Sequence, residues 1–197
     1  MDWVYRNGDL ANGDWDVYLD PTNGKISGWA HTGMRTATLR GKALEIAADK
    51  KERLIWPLDG DGLTINFQNS SESGSHKLRG RKSVFHGTTD LLYLPIDTSI
   101  SISGTGRVIV AEAPAKNPKP VKFIAKDAFP NSIRGAGPES RQIHDFGGVQ
   151  ALDADRFLVV EVIVPAGNWS GIPPHKHDTY IPGVESNLEE IYYFEVA

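Results

Sequence analysis

The sequence PPHKHD at residues 173–178, followed by LEEIYYF at residues 188–194, decides how the whole chain is interpreted. In a β-strand, residues i and i+2 point to the same face, so His175 and His177 would present two imidazoles side by side. The second stretch belongs to a strand-like run over residues 188–196, which brings Glu190 with Tyr192 and Phe194 on the same face. Two His and one Glu on neighbouring strands can bind a divalent metal ion and leave positions open for a substrate. The alternative is a pair of solvated loop histidines that bind nothing.

The composition is that of an ordinary globular protein. The chain has 197 residues, 40% of them apolar and 23% charged, which is enough for one large or two small domains. A net charge of -4 without any Lys/Arg-rich run argues against nucleic acid as a partner. No apolar run approaches the roughly 20 residues of a membrane helix. The chain has no cysteine, and residues 1–8 lack the pattern of a signal peptide, so we expect a cytoplasmic location.

Short alternating apolar runs separated by turn residues dominate the first 113 residues. They predict an antiparallel all-β sandwich or barrel. Gly104 and Gly106 are expected to separate two strands at residues 99–103 and 107–111. Apart from a short stretch at residues 36–42, no window shows a helical period.

The chain divides into two predicted domains. Residues 1–113 form an N-terminal barrel, and residues 114–145 form a Pro- and Lys-containing connector with one strand near residues 121–125. Residues 146–197 begin a second barrel, and residues 156–164 carry the strongest β signal in the chain. This second region is about half of the roughly 100 residues that a sandwich requires. We therefore expect the second barrel to be incomplete and the chain to be a fragment of a longer protein.

The amino-acid sequence of several stretches resembles one family, the 5-deoxy-glucuronate isomerases of myo-inositol catabolism, which are bicupins. The resemblance extends from about residue 83 to the end and is most specific after Gly167. It is carried by SVF (83–85), LYLP (92–95), RGAG (134–137), SRQ (140–142), VIVPAGNWS (162–170), PPHKHD (173–178) and LEEIYY (188–193). The resemblance implies tandem cupin (jelly-roll) domains, the second of them incomplete here.

The resemblance places the family's metal ligands on His175, His177 and Glu190. Glu189 would face the other way on a strand. The fourth ligand of such sites is a histidine on a later strand, which is expected beyond Ala197. The implied cofactor is a divalent metal ion, with zinc, manganese and iron all suited to the donor set. The N-terminal barrel has no His-x-His pair and is interpreted as a metal-free cupin that supports the fold and oligomer contacts.

The activity that the resemblance implies is the aldose–ketose isomerisation of 5-deoxy-D-glucuronate to 5-dehydro-2-deoxy-D-gluconate. Its sugar-acid substrate needs a partner for its carboxylate, and Arg141 is the candidate. The alternative for Arg141 is a structural ion pair with Asp145. Lys176 alternates with the two histidines and should point away from the metal. The general base is left open.

Three other functions remain possible at this point. One is the related 5-dehydro-4-deoxy-D-glucuronate isomerase of pectin breakdown, although the PPHKHD sequence favours the inositol branch. The others are a metal-dependent oxygenase and a non-catalytic sugar-binding cupin. Residues 180–183 should form a loop over the pocket. His31, His76, His86 and His144 are interpreted as structural, and the five tryptophans as core residues, with Trp169 the one to test for a role in the pocket.

Overall fold

The computed structural model describes residues 3–148, 150–171 and 173–197. The remaining positions belong to the predicted domains but lie outside the described residues. Within the described ranges the regular structure is one 3-10 turn (Gly137–Glu139) and twelve strands, which confirms the all-β prediction. The strands are β1 (Val17–Leu19), β2 (Gly33–Arg40), β3 (Leu44–Ile46), β4 (Lys51–Pro57), β5 (Gly60–Gln68), β6 (Ser73–Arg81), β7 (Leu91–Leu94), β8 (Ser99–Pro114), β9 (Lys122–Ile124), β10 (Asn131–Arg134), β11 (Arg141–His144) and β12 (Glu161–Ile163).

The strands form two sheets. The first sheet contains nine strands, with β1-β2-β8-β4-β7-β9 as its main path. Strands β3 and β5 pair with β8, and β6 pairs with β5. This nine-stranded unit is here called the first barrel. The second is the three-stranded sheet β10-β11-β12. The first sheet ends with β9, which confirms the strand predicted near residues 121–125, and the second begins with β10. The division between the sheets therefore falls inside the predicted connector. No helix in the described ranges has the length and apolar character needed to cross a membrane.

Two sequence predictions about local structure are wrong. The possible helical stretch at residues 36–42 lies mostly in β2, whose residues pair with β8. The runs on either side of Gly104 and Gly106 form one continuous 16-residue strand, β8. Both glycines have positive φ, and a Cβ on either would overlap the backbone of the neighbouring strand. The glycines thus let β8 bend and change partners, from β3 and β5 to β2 and β4, without ending.

Strand β4 is buried on both faces because it lies between two apolar clusters. Ile55 faces the inner cluster of the barrel, together with residues such as Leu92, Ile102 and Val110. Leu54 and Trp56 face an outer cluster that also contains Phe146, Ala151 and Leu152. These three residues belong to the part of the chain that follows β9, residues 125–197, here called the second half of the chain. The outer cluster therefore joins the two halves of the chain through buried apolar surface.

Buried ion pairs connect the neighbouring strands β2, β4 and β8. Glu112 on β8 accepts hydrogen bonds from Arg35 on β2 and Arg53 on β4, at 3.1–3.2 Å. Lys51 adds ion pairs to Asp20 and Asp49. These groups satisfy one another, which is the condition for burying charge at acceptable cost.

The second sheet is smaller than the sequence predicts. Of residues 156–164, only Glu161–Ile163 form a strand. Residues 188–196, here called the C-terminal segment, were also expected to be a strand, and this is wrong because they have no ladder partner among the described residues. A strand exists only where a neighbour completes its hydrogen bonds, whatever its side-chain pattern. Large apolar side chains in this region are exposed, including Leu158, Val160, Phe194 and Val196.

Candidate metal centre

The structure brings His175, His177 and Glu190 together, as the sequence predicts. One potential ligand atom from each lies within 4.8 Å of the others. The two imidazole rings have centroids 5.1 Å apart and are nearly perpendicular, and His177 Nε2 lies 3.8 Å from Glu190 Oε1. This separation is wider than a hydrogen bond and leaves room for an ion between the donors.

The histidines are held by a loop and not by a strand, so the premise of the spacing argument is wrong although its outcome is observed. His175 Nδ1 lies 2.8 Å from the carbonyl oxygen of Pro173. Because a carbonyl only accepts, this contact places the proton on Nδ1 and leaves Nε2 as the nitrogen free to bind a metal. The backbone N–H of Leu188 donates to the carbonyl oxygen of His177 at 2.8 Å, which ties the loop to the C-terminal segment.

The side chains of the C-terminal segment alternate between two surroundings. Glu190, Tyr192 and Phe194 form one set: the Tyr192 hydroxyl donates to Glu190 Oε2 at 3.2 Å, and the two aromatic rings stack with centroids 5.9 Å apart. Burial and the neighbouring Glu190 carboxylate raise the pKa of Tyr192, so its phenol stays protonated and remains a donor to that ligand. The sequence placed these three side chains on one face.

The opposite face of the C-terminal segment contacts the first barrel. Glu189 accepts hydrogen bonds from backbone amides of residues 30–32, and Ile191 packs against the outer apolar cluster. Glu195 accepts two hydrogen bonds from Arg107, at 2.7 and 3.1 Å. Glu189 therefore faces away from the metal cluster, as predicted. Its contacts with the barrel were missed, because backbone amide donors leave no mark in a sequence.

Lys176 also behaves as the alternation predicts. Its ammonium group pairs with Asp178 at 2.6 Å and with Glu185 at 3.2 Å, on the side of the loop that follows the histidines. An isolated bridge between Ile181 and Glu185 closes a turn at residues 182–184, which overlaps the loop predicted at residues 180–183. Tyr180, which directly precedes this turn, is exposed. That this loop covers the pocket stays a prediction.

Arg141 lies outside the metal cluster, on β11. Its Nη1 donates to the carbonyl oxygen of Glu139 at 3.1 Å. The alternative partner, Asp145, accepts instead from the backbone N–H of Gly148 at 2.7 Å. A role for Arg141 at the substrate carboxylate remains a prediction.

The other histidines and tryptophans show mixed outcomes. His144 is buried and contacts Glu161 at 2.8 Å, and His86 contacts Ser83 at 2.7 Å, as expected of structural histidines. Trp15 and Trp56 are buried, but Trp3 and Trp169 are 59% and 51% exposed, so the assignment of all five tryptophans to the core is wrong.

The two exposed tryptophans lie outside the strands. Trp3 contacts Trp29, with ring centroids 5.8 Å apart, at a groove of about 1190 Å³ between the N-terminal residues and the C-terminal segment. Trp169 lies in the loop before the histidines, where its backbone N–H donates a hydrogen bond to the carbonyl oxygen of Pro138. An apolar residue type alone did not distinguish these positions from the core.

The fold and the cluster together define an all-β protein of cupin type with a candidate site for a divalent metal ion. The chain belongs to the KduI/IolB family, whose model matches residues 4–197. The match includes residues 4–82, which lie before the stretches that carry the sequence resemblance.

Named relatives support this assignment. The chain is 42% identical over 119 residues to the 5-deoxy-glucuronate isomerase of Halalkalibacterium halodurans, covering 59% of this chain and 44% of that protein. It is 32% identical over 174 residues to the enzyme of the same name from Geobacillus kaustophilus, covering 86% of this chain and 61% of that protein. The chain thus spans about half the length of the relatives it matches.

A solved structure shows the same fold. The crystal structure of an IolB-like protein from Salmonella typhimurium aligns with a TM-score of 0.77 at 26% sequence identity. The alignment covers 90% of this chain and 66% of that chain. Most of both halves of the chain therefore share the architecture of an IolB-like protein.

Proposed function

We propose that the protein is a metal-dependent aldose–ketose isomerase that converts 5-deoxy-D-glucuronate to 5-dehydro-2-deoxy-D-gluconate. The observation that carries the proposal is the cluster of His175, His177 and Glu190 in a chain of the KduI/IolB family. The names of the matched relatives, 5-deoxy-glucuronate isomerase, point to the same reaction. The wider assignments, a sugar-acid substrate, a homo-oligomer and a cytoplasmic location, belong to the same proposal.

The donor set fits a divalent metal ion. Two imidazole nitrogens and one carboxylate oxygen suit zinc, manganese or iron, and the three residues are neither fully buried nor closed by a fourth described ligand. When bound, such an ion supplies Lewis-acid polarisation of a carbonyl oxygen. His175, His177 and Glu190 would hold it, and the Tyr192 hydroxyl would orient the Glu190 carboxylate through its 3.2 Å hydrogen bond.

The isomerisation moves one proton between adjacent carbons of the sugar, and the chain must bind and orient the substrate while this happens. We assign Arg141 to the substrate carboxylate because a guanidinium can bind both carboxylate oxygens. One of its N–H groups already holds the carbonyl oxygen of Glu139, which leaves the others for a ligand. The first barrel contains a buried apolar cluster and buried ion pairs, and we assign it the role of supporting the site.

The test is a direct assay of the purified protein with 5-deoxy-D-glucuronate, followed by NMR of the product. We expect turnover that a chelator abolishes and added divalent metal restores. His175→Ala should abolish turnover while the protein stays folded, and His86→Ala, which alters a histidine outside the cluster, should not change it. Unchanged turnover in His175→Ala would overturn the site. Oxygen consumption without isomerisation, or sugar binding without either, would replace the proposed reaction.

A further inference from the structure

We propose that Glu189 is a positioning residue, through which the first barrel sets the orientation of the metal ligand Glu190. The inference rests on the proposed metal site and adds a residue to it. It also gives the first barrel a specific role in the chemistry of the other half of the chain.

Glu189 is bound by three successive backbone amides of the first barrel. The N–H of Ala30 donates to Oε1 at 2.7 Å, while the N–H groups of His31 and Thr32 donate to Oε2 at 2.7 and 2.9 Å. The Thr32 hydroxyl lies 3.3 Å from the Glu189 carbonyl oxygen and donates to it. Hydrogen bonds from amides to an ionised carboxylate are among the stronger ones, and successive amides form an anion-binding concavity. The position of residue 189 is thus fixed on both its side chain and its backbone.

The effect reaches Glu190 because the two residues are adjacent and their side chains point in opposite directions. Fixing Glu189 on the barrel sets the rotation of the chain at Glu190 and directs that carboxylate toward His177. No β-ladder performs this task, since the C-terminal segment has no strand partner among the described residues. Besides the Glu189 contacts, the Tyr192 hydroxyl donates to the Glu190 carboxylate at 3.2 Å, and the backbone N–H of Leu188 donates to His177; neither of these bonds ties Glu190 to the first barrel.

The chemistry of the contact explains why a carboxylate is needed. Three N–H donors require acceptor capacity on both oxygens, which an ionised carboxylate offers. In Glu189→Gln one oxygen becomes an NH₂ group that faces an N–H donor. That variant should keep part of the contact, and Glu189→Ala should remove it. Partners that orient a metal ligand typically contribute 10–100-fold to metal affinity.

Asp155 offers a matched control. Its carboxylate also accepts three N–H bonds that join the two halves of the chain, from Lys116 N at 2.9 Å, Asn117 N at 3.2 Å and Asn117 Nδ2 at 2.8 Å. It differs in having no connection to the metal cluster. Asp155→Ala should therefore cost a similar interdomain contact without disturbing Glu190.

The experiment titrates Co²⁺ into chelator-treated wild type, Glu189→Ala, Glu189→Gln and Asp155→Ala, and records affinity and the visible spectrum of the bound ion. Thermal unfolding of the metal-free proteins checks that each is folded. We expect Co²⁺ affinity to fall at least tenfold in Glu189→Ala, with an altered spectrum, and less in Glu189→Gln. Asp155→Ala should stay within about threefold of wild type and keep its spectrum. If Glu189→Ala fails to fold, the Gln variant carries the same comparison.

The failing outcomes are distinct. Wild-type affinity and spectrum in both Glu189 variants would overturn the role of Glu189 and leave the metal site standing. Equal losses in the Glu189 and Asp155 variants would also overturn it, because they would show a general effect of weakening the contact between the halves. A wild-type protein that binds no Co²⁺ would overturn the metal site itself, and this inference with it.

Discussion

Substitution of Glu112 by Gln tests whether the ion network inside the first barrel is buried from water and mutually satisfied. The Glu112 side chain is 0% exposed and accepts from Arg35 Nε and Nη2, both at 3.2 Å, and from Arg53 Nε at 3.1 Å. Lys51 Nζ lies 4.0 Å away. Gln has almost the same shape, so the substitution removes the charge and one acceptor oxygen while leaving little cavity.

The loss in the free energy of unfolding depends on which partners the three cations keep after Glu112 is replaced. Removing one partner of a buried ion pair costs about 3–5 kcal/mol. Arg53 keeps Asp49 at 2.7 Å and Lys51 keeps Asp20 at 3.0 Å, which limits the loss. Arg35 keeps mainly its stacking on the Trp15 and Tyr18 rings. We therefore expect the lower end, about 3 kcal/mol.

The assay is urea unfolding followed by tryptophan fluorescence, with a thermal scan beside it. A loss of about 3 kcal/mol should lower the thermal midpoint by roughly 6–12 °C in a chain of this size. The control is Asp14→Asn, which breaks the ion pair between Asp14 and Lys42, whose side chains are 57% and 74% exposed. It should cost less than about 0.5 kcal/mol. A Glu112→Gln protein within about 1 kcal/mol of wild type would refute the argument that the network is dry and mutually satisfied.

Two further predictions concern the contact between the halves and acid stability. Phe146→Ala should lower the free energy of unfolding in urea by about 3–5 kcal/mol, because Phe146 is buried among aromatic neighbours in the outer cluster. The control Phe85→Ala, at an exposed position, should lower it by less than about 1 kcal/mol. Equal losses in the two variants would contradict the assignment of the cluster. Burial raises the pKa of Asp90, but hydrogen bonds from Arg79 and from the backbone amide of Lys126 outweigh it and hold the pKa below its usual value. A lowered folded-state pKa contributes stability above the unfolded value of about 3.9 that is lost as pH falls through the folded value. Urea midpoints measured from pH 6 downward should therefore fall less steeply below about pH 4 in Asp90→Asn than in wild type; parallel curves would contradict this.

The sequence was informative where local chemistry repeats. Alternating runs and turn glycines gave the all-β class, and the spacing of His175, His177 and Glu190 gave the cluster that the structure brings together. The same alternation placed Glu189 on the opposite side of the C-terminal segment from Glu190, which the contacts with the barrel bear out.

The sequence was misleading where structure depends on distant partners. The C-terminal segment has the pattern of a strand but no ladder among the described residues. Lys51 and Arg53 look like solvent-facing positions, yet both are buried, because acidic partners far along the chain neutralise them. The continuous path of β8 through Gly104 depends on close approach of a neighbouring backbone, which residue type alone does not reveal.

Zinc titration by isothermal calorimetry, on chelator-treated wild type and His177→Ala, tests the central claim most directly. The account predicts one zinc ion per chain in the wild type and loss of that binding event in His177→Ala, while His76→Ala, a histidine stacked between Phe67 and Phe123, behaves as wild type. Zinc binding that is the same in wild type and His177→Ala would contradict the assignment of the metal centre.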